Sequence, residues 1–383
     1  MPTGRKNILF YCGGFQPVGG VESFTIDLIN CLPRDMADIS LALWSKPLRE
    51  IPNLATIKIV AAEFHRSFFR WGCRWALPDR LLLPAGLRMA TRANLLVFAK
   101  IMPPRIHLKL RKVLDLSGRP IPAVLVIPYR PAEMWPNGPD QNLLNCFDVI
   151  VVPAPSFADD LVAMKYRGRI VVLGLVPPPA APVSPPPPSE AGIIRLGFLG
   201  RLEHQKNVEY MLEIFQHLAA SNPEKFELHL FGDGSQRQNL EQQAAQNSSA
   251  GRVVFHGAVA GKAKWDAIDS CDLFLNTSWT EGQCIVALEV LSRGRPLVAT
   301  PVGALPHIID SPEVGSLIPL NEAAAAAKIV ASVASRWTSG ELNPSTIRDR
   351  SDQRFGREAI ASGYVKLFSE LLSLPASDPV VSR

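Results

Sequence analysis

Short apolar runs alternate with segments of helical periodicity along most of the chain. Residues 20–32 carry apolar side chains at helical spacing and predict a helix. The β-rich runs at 123–127 and 149–152 show no alternation, which is typical of strands buried on both faces of a parallel sheet. Further strands are predicted at 7–12, 39–43, 57–61 and 170–173. The first half of the chain therefore predicts an α/β domain.

The same rhythm resumes in the second half. Strands are predicted at 195–199, 227–231, 253–256, 273–276 and 296–299. Helices are predicted between and after them at 208–220, 236–244, 262–268, 285–293 and 322–335. Alternation of this kind predicts a second doubly wound parallel sheet, in which ligands bind at the carboxyl ends of the strands.

A proline-rich segment separates the two halves. Residues 176–188 cannot join a sheet or a helix interior and favour extended polyproline geometry. We interpret them as part of a semi-rigid linker, with an SH3-type ligand as the alternative. A chain of 383 residues is also too long for one ordinary core. We therefore predict one domain over 1–175, a linker over 176–190 and a second domain over 191–350.

The composition is ordinary for a soluble globular protein, with 47% hydrophobic and 20% charged residues. No apolar run reaches the roughly 18 residues of a membrane span, and the run at 8–12 is too short for a signal peptide. The cysteines are scattered and form no C-x-x-C pair. Such cysteines are typical of buried free thiols in a reducing compartment, so we expect a cytoplasmic protein.

Charge is distributed unequally along the chain. Residues 1–175 carry 22 Lys/Arg against 13 Asp/Glu, a balance of +9, within a total of +5. A basic half favours an anionic partner. Residues 64–76 place arginines on one helical face and aromatic side chains on the other, which suits a helix in a membrane interface. A core aromatic stripe with a solvated basic face is the alternative. No nucleic-acid recognition motif accompanies the charge.

Candidate chemistry first appears after the predicted strand at 195–199. Gly200 allows a sharp turn there, and Arg201 and Lys206 flank the start of the next helix. Two cations beside free helix N–H groups make a good diphosphate site. The alternative is a pair of solvated surface charges. A Gly-x-Gly turn follows the next strand at 232–234 and is weak evidence by itself.

The segment 276–290 contains two carboxylates. Glu281 lies in a loop after a predicted strand, and Glu289 lies about one turn into the following helix. Carboxylates are the acceptors that a ribose or hexose favours, since each can take two hydrogen bonds from hydroxyls. Gly282 frees the backbone, so that the N–H groups of 283–285 can face an anion. A capping glutamate and a surface glutamate are the alternatives.

These motifs together resemble the GT-B-fold retaining glycosyltransferases of family 4, the group 1 glycosyl transferases. The hallmark is a pair of glutamates separated by seven residues, which Glu281 and Glu289 match. Further matches lie at 13–22, 198–201, 206–207, 254–257, 271–274, 294–303 and 355–372. The resemblance covers nearly the whole chain and is strong across about 195–320. It implies two Rossmann-like domains facing each other across a cleft, with a C-terminal helix over 355–373 packing back on the first domain.

The resemblance also implies roles for individual residues. Glu281 would stabilise the reacting carbon of the donor sugar as the catalytic carboxylate, and Glu289 would hold the ribose. The donor diphosphate would be bound by Gly20, Arg201, Lys206 and the backbone of Gln283, Cys284 and Ile285. No cofactor or metal is implied, because the nucleotide sugar is a co-substrate and no Asp-x-Asp motif stands in a suitable loop.

The chain departs from the family pattern in the first domain. The family usually has a histidine after the strand that corresponds to 123–127, where this chain has Pro128, Tyr129 and Arg130. Tyr129 or Arg130 is the candidate on the acceptor side, since His107 precedes the strand by too much to substitute simply. His307 replaces the glutamate of a later Pro-Glu pair.

The function implied is transfer of a sugar from a nucleotide sugar to a saccharide or lipid-linked acceptor in surface polysaccharide or glycolipid synthesis. The location implied is cytoplasmic, and peripheral attachment to the inner face of the membrane is a further expectation. The missing histidine motivates an alternative, a catalytically silent sugar-nucleotide-binding or scaffolding protein. A GT-B epimerase or phosphorylase is a second alternative. A phosphorylase would need a pyridoxal lysine site, which the sequence does not support.

Overall fold

The computed structural model describes residues 5–12, 20–43, 58–61, 90–99, 101, 104–116, 118, 121–179, 192–222, 224–246 and 252–374. The chain forms two compact units. The first contains Met1–Pro178 and Glu358–Arg383, and the second contains Pro179–Arg357. The predicted linker lies largely outside the described residues, as does the predicted amphipathic helix at 64–76.

The first unit is built on a parallel sheet of seven strands in the order β3-β2-β1-β4-β5-β6-β7. The strands are β1 Asn7–Cys12, β2 Asp38–Leu43, β3 Lys58–Ala61, β4 Leu95–Phe98, β5 Ala123–Val126, β6 Val149–Val152 and β7 Arg169–Val172. The helices are α1 Gly20–Cys31, α2 Pro104–Leu116, α3 Pro131–Met134, α4 Gln141–Leu144 and α5 Pro155–Ala163. The strands β4, β5 and β6 are buried along their whole length, which explains their unbroken apolar sequences.

Most strands of this unit were predicted to within about two residues, the usual uncertainty at element ends. Strand β4 was not predicted, although it lies beside β1 in the middle of the sheet. Its four apolar residues carry no periodicity that distinguishes a buried strand from a helix segment. Hydrogen bonding to the flanking strands β1 and β5 decides its conformation.

The second unit contains a parallel sheet of six strands in the order β10-β9-β8-β11-β12-β13. The strands are β8 Ile194–Leu199, β9 Phe226–Phe231, β10 Val253–Gly257, β11 Leu273–Asn276, β12 Leu297–Ala299 and β13 Gly315–Leu317. The helices are α6 Val208–Ser221, α7 Arg237–Ala245, α8 Lys262–Asp269, α9 Ile285–Ser292, α10 Leu305–Ile308, α11 Ala323–Thr338 and α12 Pro344–Phe355, with a 3-10 helix at His204–Lys206. The short elements β13 and α10, and the polar helix α12, were not predicted.

Local signals place several of these helices. Asn343 caps α12 by accepting a hydrogen bond from the Ser345 N–H, with Pro344 at the first helical position. Asn207 adopts a left-handed conformation, with φ of 47°, and turns the chain from the 3-10 helix into α6. Helix α6 then buries Met211, Phe215 and Leu218, which recur at helical spacing.

The chain ends its described course in helix α13, Arg357–Ser373, which packs on the first unit. The Phe368 ring meets the Phe10 ring edge-on at 6.1 Å between centroids, and Tyr364 lies 5.9 Å from Phe24. Each unit is thus a doubly wound α/β domain with the strand order of a Rossmann-like fold, and the predicted fold class is confirmed. Within the described ranges, no helix has both the length and the apolar character needed to span a membrane.

Candidate functional site

The loops that follow β8 and β9 pack against each other at the carboxyl ends of these neighbouring strands. The Leu202 N–H donates to the Asp233 carbonyl at 2.9 Å. The Glu203 carboxylate accepts from the Ser235 N–H and hydroxyl at 3.1 and 2.6 Å, and these bonds lower its pKa. The two loops therefore form one fixed surface at the strand ends, where ligands bind in folds of this kind.

Glycines make this close approach of the two loops sterically feasible. A Cβ atom on Gly232 would lie 1.8 Å from the Gly200 carbonyl oxygen. A Cβ atom on Gly234 would lie 2.4 Å from the Leu202 carbonyl oxygen. The Gly-x-Gly turn, weak evidence in the sequence, is thus required by backbone-to-backbone packing.

Glu281 lies in the loop after β11 and is 6% exposed. Its Oε1 atom accepts hydrogen bonds from Lys206 Nζ at 2.6 Å, Asn276 Nδ2 at 3.1 Å and Ser278 Oγ at 2.7 Å. Lys206 reaches it from the loop after β8, because β8 and β11 are adjacent in the sheet. The structure thus brings together two predicted site residues that are 75 positions apart. The partners Asn276 and Ser278 were not predicted. The signal that could have identified them is a polar residue at the end of a buried strand, followed two positions later by another.

Glu289 lies on α9 and is 5% exposed, so the alternative of a surface glutamate is wrong. Lys264 Nζ, on α8, binds its Oε1 at 2.5 Å. Burial raises the pKa of Glu289, and the Lys264 ammonium acts against that rise. Lys264 was not predicted as a site residue, because nothing in the local sequence relates it to a glutamate 25 positions later.

The remaining predicted residues of the second unit lie in the loop after β8 and at the start of α9. Arg201 is exposed directly after the close approach at Gly200. Cys284 adopts a left-handed conformation, with φ of 59°, at the start of α9, and Ile285 is the first residue of that helix. Burial raises the pKa of the Cys284 thiol, which accepts a hydrogen bond from Asn276 Nδ2 at 3.3 Å. Gln283, next to it, is 3% exposed.

The loop before α9 contacts the loop after β12 through backbone atoms. The Ala304 N–H donates to the Gly282 carbonyl at 2.9 Å. A Cβ atom on Gly303 would lie 2.3 Å from the Glu281 carbonyl oxygen. The backbone that carries the Glu281 side chain is therefore held on both sides, by the Lys206 loop and by the loop after β12.

The predicted residues of the first unit have different surroundings. Gly20 is the first residue of α1. Tyr129 is 52% exposed, and the Arg130 guanidinium forms an ion pair with Asp160 at 3.1 Å. His107 is a core residue, 1% exposed and edge-on to the rings of Phe98 and Phe147. Burial lowers the His107 pKa to about 4.

Across the ranges described above, no group of three or more His, Cys, Asp or Glu side chains is arranged to bind a metal ion.

Comparison with solved structures identifies the fold of this chain. Solved structures similar to it include a lipopolysaccharide outer core galactosyltransferase, WaaB, with a TM-score of 0.70 and 16% identity over 95% of this chain and 99% of that chain. They also include HepE of Anabaena in complex with UDP, with a TM-score of 0.72 and 17% identity over 95% of this chain and 100% of that chain. Likeness at this level of identity shows the GT-B fold.

Residues 194–335 match the family model of the group 1 glycosyl transferases. The match lies within the second unit, Pro179–Arg357. One relative is a GDP-mannose-dependent alpha-mannosyltransferase of Mycobacterium tuberculosis, 33% identical over 127 residues, which are 33% of this chain and 30% of that protein. The chain spans 26 to 30% of the length of the curated relatives that it matches at 30% identity or more.

Proposed function

We propose that this protein is a retaining, metal-independent glycosyltransferase that moves a hexosyl group from a nucleotide-diphosphate sugar to a saccharide or lipid-linked acceptor. The observation that carries the proposal is the buried Glu281 carboxylate, bound by Lys206 at 2.6 Å at the carboxyl ends of β8 and β11. It lies in the domain that matches the group 1 glycosyl transferases.

The cations at the strand ends supply the leaving-group site. As the bond between sugar and diphosphate breaks, negative charge builds on the phosphate oxygens, and fixed positive charge nearby stabilises the transition state. Lys206 has three N–H donors and gives one of them to Glu281. The others can bind a diphosphate that also contacts Arg201 and the backbone N–H groups of 283–285.

Glu281 supplies the opposite charge. Its hydrogen bonds within the described part of the chain all end on Oε1, which leaves Oε2 for the donor sugar. A carboxylate fixed beside the reacting carbon stabilises the positive character that the carbon gains in the transition state. Glu289 takes the hydroxyls of the nucleotide ribose.

The similar proteins support a nucleotide-sugar donor and a surface-glycan acceptor. HepE of Anabaena was solved with UDP, and WaaB is a galactosyltransferase of the lipopolysaccharide outer core. The basic first half, with a balance of +9 over residues 1–175, suits attachment at an anionic inner membrane face. Tyr129 and Arg130 remain the candidates on the acceptor side.

Release of nucleotide diphosphate from a panel of UDP-, GDP- and ADP-sugars tests this function, since many glycosyltransferases hydrolyse their donor slowly. Glu281→Gln keeps the shape and the acceptor oxygen of the side chain but removes its charge. We expect it to lower the release rate by about 100-fold or more, the usual effect of removing one such electrostatic group. Glu341→Gln removes an exposed carboxylate that pairs with Arg336, and it should leave the rate unchanged.

The outcomes separate the enzyme from the silent alternative. Tight binding of one nucleotide sugar, with no release above the Glu281→Gln blank even with cell-envelope acceptors added, would favour a silent binding protein. Measurable release at equal rates by the parent and Glu281→Gln would overturn the role of the carboxylate. With an acceptor present, the anomeric configuration of the product, measured by NMR, tests the retaining mechanism.

A further inference from the structure

Lys264 holds the carboxylate that the proposed function assigns to the nucleotide ribose. Its Nζ atom binds Glu289 Oε1 at 2.5 Å and lies 4.5 Å from the centre of the Trp265 ring. The Lys264 side chain is 22% exposed and the Glu289 side chain is 6% exposed. The ammonium is therefore held between a buried anion and an aromatic face.

Other contacts fix helix α8 independently of Lys264. Arg293 Nε donates to Asp269 Oδ1 at 2.8 Å, and Arg295 Nη2 donates to the Asp269 carbonyl at 2.8 Å. These bonds tie the end of α8 to the end of α9 and the residues after it. The position of Lys264 opposite Glu289 is thus set by the packing of two helices.

The electrostatic consequence concerns the protonation of Glu289. Burial favours its neutral form, and the Lys264 ammonium favours its charged form. A carboxylate accepts two hydrogen bonds from the two hydroxyls of a ribose, whereas a protonated carboxyl must use one oxygen as a donor. Recognition of a vicinal diol therefore depends on the charge that Lys264 stabilises.

We propose that Lys264 is a positioning residue for nucleotide recognition, which holds Glu289 ionised and oriented to accept hydrogen bonds from the ribose hydroxyls. This inference rests on the proposed function and extends it. The ligand class is a ribonucleoside diphosphate, distinguished from its 2′-deoxy counterpart through Glu289. A merely structural ion pair between α8 and α9 would not influence that distinction.

The test is calorimetric binding of UDP, GDP and ADP, each paired with its 2′-deoxy form, to the full chain. For the nucleotide that binds, the parent should prefer the ribose form by about tenfold or more, the loss expected when a hydrogen bond to a charged group is removed. In Lys264→Met this preference should fall to about twofold at neutral pH. Its affinity relative to that of the parent should then rise with pH as Glu289 ionises.

Two further variants complete the experiment. Lys264→Gln keeps a hydrogen-bond donor without the charge, so it remains informative if Lys264→Met folds poorly, and it should show the same pH dependence. Lys262→Met removes a neighbouring ammonium that is 86% exposed and paired with Asp266, and it should behave as the parent does.

The results distinguish a failure of the inference about Lys264 from a failure of the proposed function. If the parent binds a nucleotide and Lys264→Met or Lys264→Gln keeps both the parent's ribose preference and the parent's pH profile, the inference is wrong and the donor site stands. If the parent binds none of the nucleotides, the proposed function fails and the inference fails with it.

Discussion

At the scale of single residues, burial of His107 makes the stability of the fold depend on pH. It lies on α2 between the rings of Phe98 and Phe147, and its pKa is lowered from 6.5 to about 4. At a pH between these two pKa values, His107 binds a proton in the unfolded chain but not in the folded chain. The free energy of unfolding should therefore fall by about 3 kcal/mol as the pH falls from 6.5 to 4.

Urea unfolding of the parent and of His107→Leu, measured across this pH range, checks the prediction. The variant should show a smaller slope of unfolding free energy against pH, whatever its absolute stability. A remaining slope is expected, because burial also lowers the pKa of His256 and of His307. Identical slopes for the two proteins would show that His107 titrates normally in the fold.

At the scale of elements, the two loops after β8 and β9 act as one unit because glycine permits their contact. Gly232→Ala would place a methyl group 1.8 Å from the Gly200 carbonyl oxygen, and backbone on both sides cannot yield cheaply. We expect a loss of about 1–3 kcal/mol in the stability of the second unit, the usual cost of overpacking. Nucleotide affinity should fall as well, since the displaced loop carries Arg201 and Lys206.

Gly340→Ala is the matched control for this substitution. Gly340 has a φ of +77° and open space around its Cβ position, so only backbone strain of about 1 kcal/mol is expected there. Both variants can be followed by thermal unfolding and by calorimetry with the nucleotide that the parent binds. The prediction fails if Gly232→Ala binds as tightly as Gly340→Ala.

At the scale of the whole molecule, the first unit is completed by α13, the last helix among the described residues. Phe368 on α13 is 0% exposed and packs on Phe10 of β1, so Phe368→Ala should destabilise the first unit by about 3–5 kcal/mol. The second unit should be unaffected, since α13 belongs to the first. Hydrogen exchange resolves the two effects: amides of β1 should exchange faster, while those of β8 keep the parent rate.

Tyr364→Phe is the companion variant on the same helix. The Tyr364 hydroxyl is buried and has no hydrogen-bond partner in the described part of the chain. Removing it should leave the first unit unchanged or make it about 1 kcal/mol more stable, since a buried unpaired hydroxyl is unfavourable. A marked loss of protection in β1 on this substitution would show that the hydroxyl has a bonded partner.

Some of the strands and helices could be predicted from the sequence and others could not. The pattern of apolar runs predicted β1, β5, β6, β8 and β11, because each is a short apolar stretch bounded by polar or turn residues. Strand β4 escaped prediction, since its apolar residues fit a buried helix equally well. The polar helix α12 escaped because its sequence has little apolar periodicity.

For the candidate site, the sequence alone determined which residue types stand after which strands. Arg201, Lys206, Glu281 and Glu289 were predicted as site residues in this way, since position after a strand and carboxylate spacing are local properties. Only the tertiary structure decided their partners. Lys206 meets Glu281 because β8 and β11 are neighbours, and Lys264 meets Glu289 because α8 packs beside α9. Charge pairing and burial depend on contacts between distant segments, and these contacts exist only once the chain has folded.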